Sequence, residues 1–433
     1  MNKNWLASTL LPLLSVYPVI ADEKLEDIET IVIQGELLET TTDTASNAVD
    51  VVNKDMIEQL GAAHLQDILQ QLGNVNFAGG SSRARFFQIR GMGERSQFVD
   101  PVNPSVGLAI DGIDYSGLAN AATLFDISQI EVFKGPQGTN IGANAMAGFI
   151  NMMGTKPGTN AASKLRLEMG NYGLFNIAAA HGGDIGEHSA YRVAINKLEG
   201  DGYIHNAHLN RDDTNGFDEL SLRLLTTTRV NQDLTLDAII HKFDIDNGYD
   251  AFSLDQNRTT YSNEPGFDTQ DTLSLGLRAT YTGVNKIKQK LFLSNSDSDL
   301  AYGYDEDWAF GEYEWRDDSV EYNPDPCVSS SGCLADFDGY ASTDYYFRDH
   351  SAQQLDYSLA DDNEKWIFGV YFKTSDTDLA RQYTWLSDTF ESQYQVDNAA
   401  LYGEVRMFTS STLNLTAGLR FENYDADYSD SNL

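Results

Sequence analysis

Four side chains in two glycine-rich stretches have the chemistry to grip an anionic or aromatic ligand. Arg83 follows Gly79-Gly80-Ser81-Ser82, and Arg95, Gln97 and Phe98 follow Gly93-Glu94. A guanidinium can meet carboxylate or catecholate oxygens through two parallel N–H bonds, and a phenyl ring can stack on an aromatic ring or a sugar. Ordinary surface loops carry the same residue types, so that plainer reading stays open. A second group runs Tyr302-Gly303-Tyr304-Asp305-Glu306-Asp307-Trp308 and continues to Glu312-Tyr313-Glu314-Trp315. Its aromatic faces suit sugars or flat chelates, and its three adjacent acids could recruit a divalent cation, although solvated loop acids are the simpler expectation. Glu29-Thr30-Ile31-Val32-Ile33 is a short β-prone patch inside a polar, acidic stretch. Such a strand can add itself to the edge of a partner's sheet through backbone hydrogen bonds, or it can be the first strand of the domain that follows. Arg90 and Glu131 each interrupt an apolar strand and are expected as buried charges, which need partners. Cys327 and Cys333 are the only cysteines and bracket Val-Ser-Ser-Ser-Gly; in an exported chain the expected state is a disulfide. Two thiolates without nearby His or Cys do not make a zinc site, so no metal is expected.

No constellation for catalysis stands out. His181, His188, His205, His208, His241 and His350 are scattered, and neither a nucleophile elbow, a Ser-His-Asp arrangement nor a phosphate-binding glycine loop is found. The expectation is a non-enzyme without a cofactor.

These residues must be positioned by the elements around them. Lys3 precedes an apolar stretch from Trp5 to Ile20 that ends in Val19-Ile20-Ala21 before Asp22, the pattern of a secretory signal peptide over residues 1–21. The run is too short and too interrupted by Pro12 and Pro18 for a spanning helix. The formal charge of -36 excludes nucleic acid as a partner, because phosphate binding needs a basic face. Hydrophobic content of 41% and a mean hydropathy of -0.37 fit either a secreted all-β protein or a β-barrel, whose alternating strands leave no long apolar run.

Residues 22–48 read as a polar linker carrying the sticky strand. Lys54 to Leu60 predicts a short helix closed by Gly61, and Leu65, Ile68, Leu69 and Leu72 recur at helical spacing up to Gly73. Glycine-punctuated short strands follow, so 49–158 is expected as a compact α+β domain. From 159 to 433 the pattern is alternation, clearest at Leu273, Leu275, Leu277, Ala279 and Tyr281 and at Leu413 to Phe421. Further runs begin near Lys164, Leu174, Ala190, Leu220, Leu234, Ile287, Leu355, Trp366 and Leu401, making roughly eleven strands of the length a tilted bilayer crossing needs. Tight turns at 230–233 and 409–412 alternate with long loops expected at 244–270 and 297–347, the length asymmetry of an outer-membrane barrel.

At this point the residues resemble a known family, the TonB-dependent outer-membrane receptors. Glu29 to Ile33 is similar to a TonB box, and Phe87-Gln88-Ile89-Arg90-Gly91 resembles the Ile-Arg-Gly strand of the family's plug. Val106 to Gly112, Ile130-Glu131-Val132-Phe133-Lys134-Gly135-Pro136-Gln137-Gly138 and Gly142 to Asn151 resemble its remaining plug motifs in order and spacing, with Lys134 where Arg is usual and Phe149 where Gly is frequent. The resemblance implies a signal peptide, an α+β plug and an antiparallel transmembrane barrel of about 22 strands, of which this chain holds about half. The expectation is therefore a partial sequence. It further implies a periplasmic TonB partner at Glu29, Thr30, Ile31, Val32 and Ile33, outer-membrane lipid around the barrel, and active import of a ferric siderophore, with oligosaccharide or cobalamin as the alternative. A passive porin-like barrel would need neither plug nor TonB box. Arg83, Arg95, Gln97 and Phe98 become the implied floor of the ligand site, and Arg90 and Glu131 the implied lock between plug and barrel, with a salt bridge inside the plug as the equal alternative for that pair.

Overall fold

The computed structural model describes residues 32–38, 40–42, 44–78, 81–94, 105–158, 162–254, 256–283, 286–308, 342–363, 365–409 and 413–431. The expected signal peptide, Glu29, Thr30, Ile31, Arg95, Gln97, Phe98, Cys327 and Cys333 lie outside the described residues. The chain begins with β1 (Val32–Ile33), antiparallel to β2 (Thr40–Thr41).

The plug is built from β3 (Val49–Asn53), α1 (Lys54–Leu60), α2 (Leu65–Leu69), β4 (Val75–Phe77), β5 (Phe87–Ile89), β6 (Val106–Ile110), β7 (Ile113–Asp114), β8 (Ile127–Lys134) and β9 (Gly148–Gly154). Helix α1 starts where the Asn53 side chain accepts the Met56 amide at 3.0 Å and stops at Gly61, whose φ of 61° only glycine takes without strain. The second predicted helix is shorter than its apolar spacing suggested, giving way to turns after Leu69. A five-stranded sheet in the order β3-β8-β9-β6-β7 forms the centre, and β4 pairs with β5 beside it. Ile57, Leu65, Ile68 and Leu69 from the helices close on Leu108, Ile110, Ile130, Val132, Ile150 and Met152 from the sheet, all buried.

The remaining strands are β10 (Lys164–Met169), β11 (Phe175–Ile185), β12 (Ser189–Gly200), β13 (His205–Asn206), β14 (Phe217–Arg229), β15 (Leu234–Tyr249), β16 (Thr259–Thr260), β17 (Gly266–Thr282), β18 (Ile287–Asp305), β19 (Thr343–Asp361), β20 (Trp366–Tyr383), β21 (Phe390–Thr409) and β22 (Asn414–Asp430). All but β13 and β16 join one antiparallel sheet of eleven strands in sequence order. The two short ones pair in parallel and tie together the long connections that follow β12 and β15.

Alternation decides which face of this wall meets what. On β17 the plug side carries Thr272 and Ser274, both 0% exposed, while Leu273, Leu275 and Leu277 on the other side are 44–46% exposed. Polar residues are thus buried against the plug and apolar residues face outward, the inverse of a soluble sheet and the arrangement of a barrel in lipid. Among the described residues no helix is long and apolar enough to cross a membrane.

The strands run further than hydropathy marks. β19 and β21 start at Thr343 and Phe390, well before the apolar runs near Leu355 and Leu401, and the predicted loop at 297–347 gives up both its ends to β18 and β19. Strands of 17 to 20 residues, as β17 to β22 are, exceed the roughly 10 that cross a bilayer, so their outer ends project past it. Register shows where lipid stops. Asp244, Asp271, Asp299, Asp349 and Asp378 stand directly opposite one another across β15, β17, β18, β19 and β20. Five outward carboxylates in one row need water, and like charges in direct cross-strand register oppose pairing. Lys242 pairs directly with Asp271 and offsets part of this charge.

Candidate functional site

The sequence folds locally so as to aim plug carboxylates at the wall. Asp111 and Gly112 form the two-residue turn between β6 and β7, with φ of 55° and 94°. Both central residues of such a hairpin turn need positive φ, which Asp-Gly supplies. The turn leaves the Asp111 carboxylate 3.0 Å from His241 Nε2 on β15, while the Gly154 amide donates to its other oxygen at 2.7 Å. A Cβ on Gly112 would come within 2.9 Å of Arg278 Nη2, the far end of a long side chain that donates to the Asp111 carbonyl at 3.1 Å, so the positive φ more than space calls for glycine there.

Four further contacts seat the plug. Asp126 receives the Arg192 fork of β12 at 2.8 and 2.6 Å, with Lys164 Nζ at 3.4 Å. Asp114 pairs with Lys373 of β20. Glu219 of β14 accepts Arg83 Nε at 2.7 Å and Asn247 Nδ2 at 3.0 Å. Asp268 of β17 is fully buried and accepts the Ser82 amide and hydroxyl at 2.8 and 2.7 Å, Asn120 at 3.1 Å and the Arg85 guanidinium. Neutral bonds fill in between: Tyr115 donates to Ser274 Oγ at 2.9 Å, and Gln270 Nε2 to the Leu118 carbonyl at 3.3 Å.

Burial alone would raise the plug carboxylates, yet their partners hold them low. Asp111 is lowered because His241, the charge of Arg223 and the Gly154 amide outweigh desolvation. Lys373 and the Ser116 donors outweigh it at Asp114, which falls to about 2, and Arg192 does so at Asp126. Folded values below the unfolded ones mean that this stabilisation is complete above the ordinary Asp range and is lost as pH falls through the folded values. His64, fully buried, is pushed down to about 4 by desolvation first and the Arg83 charge second, so it is neutral at physiological pH.

The amino-terminal segment is docked on the opposite, short-turn side of the plug. Ile33 is 0% exposed, packed with Phe133, Ala145 and Phe149. Glu131 accepts the consecutive amides of Gln34 and Gly35 at 2.7 and 2.8 Å. Gln129 donates to the Val32 carbonyl at 2.9 Å, and Asn140 to that of Gly35. A Cβ on Gly35 would lie 2.7 Å from the Phe133 ring, so glycine is what lets the backbone reach the carboxylate. Farther on, Leu38 is 2% exposed against Ala360 and Ile367, which flank the short turn between β19 and β20. The segment therefore straps plug to wall.

At the outer mouth the wall is aromatic. Tyr249, Tyr302 and Tyr346 are buried together with Leu379, and Phe252 stacks on Trp308 at 4.8 Å and 5°. Arg381 forks onto Asp344 at 2.8 Å for both bonds and lies over the rings of Tyr346 and Tyr383.

Several expectations change against this geometry. Arg83, read as ligand floor, is committed to Glu219 on the wall and lies over the Phe217 ring. Arg90, read as a buried charge, is exposed, because β5 ends at Ile89 and the φ of 54° at Arg90 turns the chain outward. Glu131 is buried as read, but among the described residues its donors, Gln34, Gly35, Gln129 and Asn151, belong to the plug and the amino-terminal segment and none to the barrel wall. Asp305 and Asp307, read as solvated loop acids, are buried, and the Tyr383 hydroxyl donates to Glu306 at 2.7 Å. Sequence reasoning misses the wall charges Arg192 and Asp268 and takes His241 only as one of the scattered histidines. Their signal was available: each sits at the polar phase of a strand whose polar side must face inward.

Comparison with known proteins fits this geometry. Residues 41–149 match the TonB-dependent Receptor Plug Domain, and residues 166–433 match the TonB dependent receptor-like β-barrel. The chain is similar to the vitamin B12 transporter BtuB of Vibrio vulnificus (strain YJ016), 25% identical over 224 residues that cover 51% of this chain and 36% of that one. It is 23% identical over 276 residues to BtuB of Vibrio cholerae (strain ATCC 39541), covering 62% and 41%. The chain thus spans well under half the length of these curated relatives. In fold it is similar to the ferric yersiniabactin uptake receptor FyuA of Yersinia pestis, with a TM-score of 0.68 at 16% identity over 89% of this chain and 60% of that one. The ferripyoverdine receptor of Pseudomonas aeruginosa follows, with a TM-score of 0.66 at 14% identity over 93% and 56%. With the plug seated on an antiparallel wall whose apolar side faces lipid, and with both family domains matched in order, the chain belongs to the TonB-dependent receptors of the outer membrane.

Proposed function

We propose that this chain is the amino-terminal part of an energised importer, divided into a signal peptide (1–21), TonB box and linker (22–48), plug (49–158) and partial barrel (159–433). The ligand is a ferric siderophore, captured at the outer mouth, and TonB draws the plug through the strand at Glu29 to Ile33. The observation that carries this reading is the strap. A passive channel has no use for a segment whose backbone amides are held by a buried plug carboxylate and whose far end leads out toward the short-turn side. Energy has to arrive by a partner, since no phosphate-binding loop is found in the sequence. Glu131 is the inner catch of this device, and Arg90, exposed just past the end of β5, takes no part in the resting catch.

The tyrosine-rich mouth supports an aromatic ligand, while Arg381, already forked onto Asp344, adds no free positive charge to it. Arg95, Gln97 and Phe98 are retained as the plug's contribution to that site. The cobalamin reading is kept by the B12 transporters among the relatives. Equilibrium titration of the full-length receptor with iron-loaded catecholate, phenolate and hydroxamate siderophores, cobalamin and oligosaccharides separates them. Saturable binding of one aromatic siderophore class is the expected result; binding of cobalamin or a sugar alone overturns the substrate assignment.

A further inference from the structure

We infer that Asn151 is a positioning residue that ties the catch at Glu131 to the wall strand β20, so that the strap is held in full only while Asp114 stays paired with Lys373. Asp114 on β7 stands directly opposite Ala109 on β6, Ala109 opposite Asn151 on β9, and Asn151 opposite Glu131 on β8. These residues form one row across the plug sheet and share one face of it, and the row is about 14 Å long, three strand spacings. It is the face that receives the strap, since Ile33 clusters there with Ala109, Phe133 and Phe149. At one end of the row Asp114 meets Lys373 of β20, and at the other Glu131 accepts the strap amides.

Asn151 is 8% exposed and donates through Nδ2 to Glu131 Oε2 at 3.1 Å, the same oxygen that accepts the Gly35 amide. Gln129 donates to Oε1, the oxygen that accepts Gln34. One side-chain amide at each oxygen fixes the rotation of the carboxylate. A shift of β9 therefore turns Oε2 away from Gly35 while Oε1 keeps its partners. β9 is paired on its other side with β6, and β6 with β7, which Asp114 pins to the wall. A second tie crosses the same face: between β8 and β9, Asn140 donates to the Gly35 carbonyl and Asn144 Nδ2 to Asp114 at 3.4 Å. β20 completes the circuit. Its inward residues include Ile367, which packs on Leu38 of the strap, then Lys373, then Arg381 at the outer mouth. One wall strand thus touches mouth, plug and strap, and parting Asp114 from Lys373 slackens the catch while Leu38 stays on the wall.

The inference rests on the reading of the strap as a handle, and its test separates the two. Residue-resolved amide hydrogen exchange is measured in the full-length receptor for Lys373→Met, Asn151→Ala, the double variant, and Arg192→Met, which breaks a wall ion pair outside the row. Lys373→Met should raise exchange at Gly35 about tenfold, the scale of one charge-assisted hydrogen bond, with a smaller rise at Gln34. Asn151→Ala should give the same pattern, and the double variant no more than the larger single effect, as residues acting in series require. Arg192→Met should leave Gly35 protected. An unchanged rate at Gly35 in Lys373→Met, or effects that multiply in the double variant, overturns the row. So does an equal rise in Arg192→Met, which would mark general loosening of the plug. Neither ligand nor TonB enters this measurement, so uptake that survives Ile31→Pro would overturn the handle and leave the row standing.

Discussion

Asp268→Ala will cost the plug about 3–5 kcal/mol of its hold on the wall, the range for removing one member of a buried ion pair. The carboxylate is fully buried and collects the Arg85 guanidinium, the Asn120 amide and both donors of Ser82. Without it, Arg85 stays in a site that excludes water, beneath the Tyr302 ring, with only a long 3.4 Å bond to Asn120. The uncompensated cation, more than the lost attraction, sets the magnitude. Asp268→Asn should cost less because an acceptor oxygen remains. The double substitution Asp268→Leu with Arg85→Met should recover most of the loss by removing both charges. Denaturant titration of the plug in the intact receptor reads all three; a loss below about 1 kcal/mol for Asp268→Ala would mean water reaches Arg85.

The second large effect is expected at Glu131. Its carboxylate accepts the amides of Gln34 and Gly35 at 2.7 and 2.8 Å and is also held by Gln129 and Asn151. Bonds from amides to an ionised acceptor contribute roughly 1.5–3 kcal/mol each. Glu131→Ala should therefore raise amide hydrogen exchange at Gln34 and Gly35 by about 10- to 100-fold, with exchange in the central plug sheet little changed. Ile33 and Leu38 would remain as apolar contacts, so the strap loosens without falling away. Unchanged protection at both amides would show that packing alone holds the segment.

The plan of the molecule is legible in the residues because two periodicities carry it. Gly61 ends α1 as its position predicts, and the alternation at Leu273 to Tyr281 marks β17 and its outward face. Strand ends escape the hydropathy pattern where hydropathy stops being the determinant: above the aspartate row, β19 and β21 continue as polar and aromatic strands held by cross-strand pairing and by the tyrosine cluster at the mouth. The site was harder. Arg83 looks the same in sequence whether it meets a ligand or Glu219, since its partner is 136 residues away. Glu131 was recognised as buried, but its acceptors' direction depends on Gly35 folding back across Phe133, which no local pattern announces. Asp111 was visible as half of a turn signal, and the turn explains its backbone; its carboxylate's role depends on which wall strand lies opposite.

The central claim is that the amino-terminal strand is a handle through which a partner moves the plug. It is tested most directly by ligand uptake in cells carrying the full-length receptor, with and without Ile31→Pro, alongside ligand binding at the surface. Proline removes a backbone donor from the added strand and leaves the outer mouth untouched. The account predicts that binding is retained and uptake is lost; uptake that persists at the unaltered rate would contradict it and leave passive diffusion around or through the plug as the explanation.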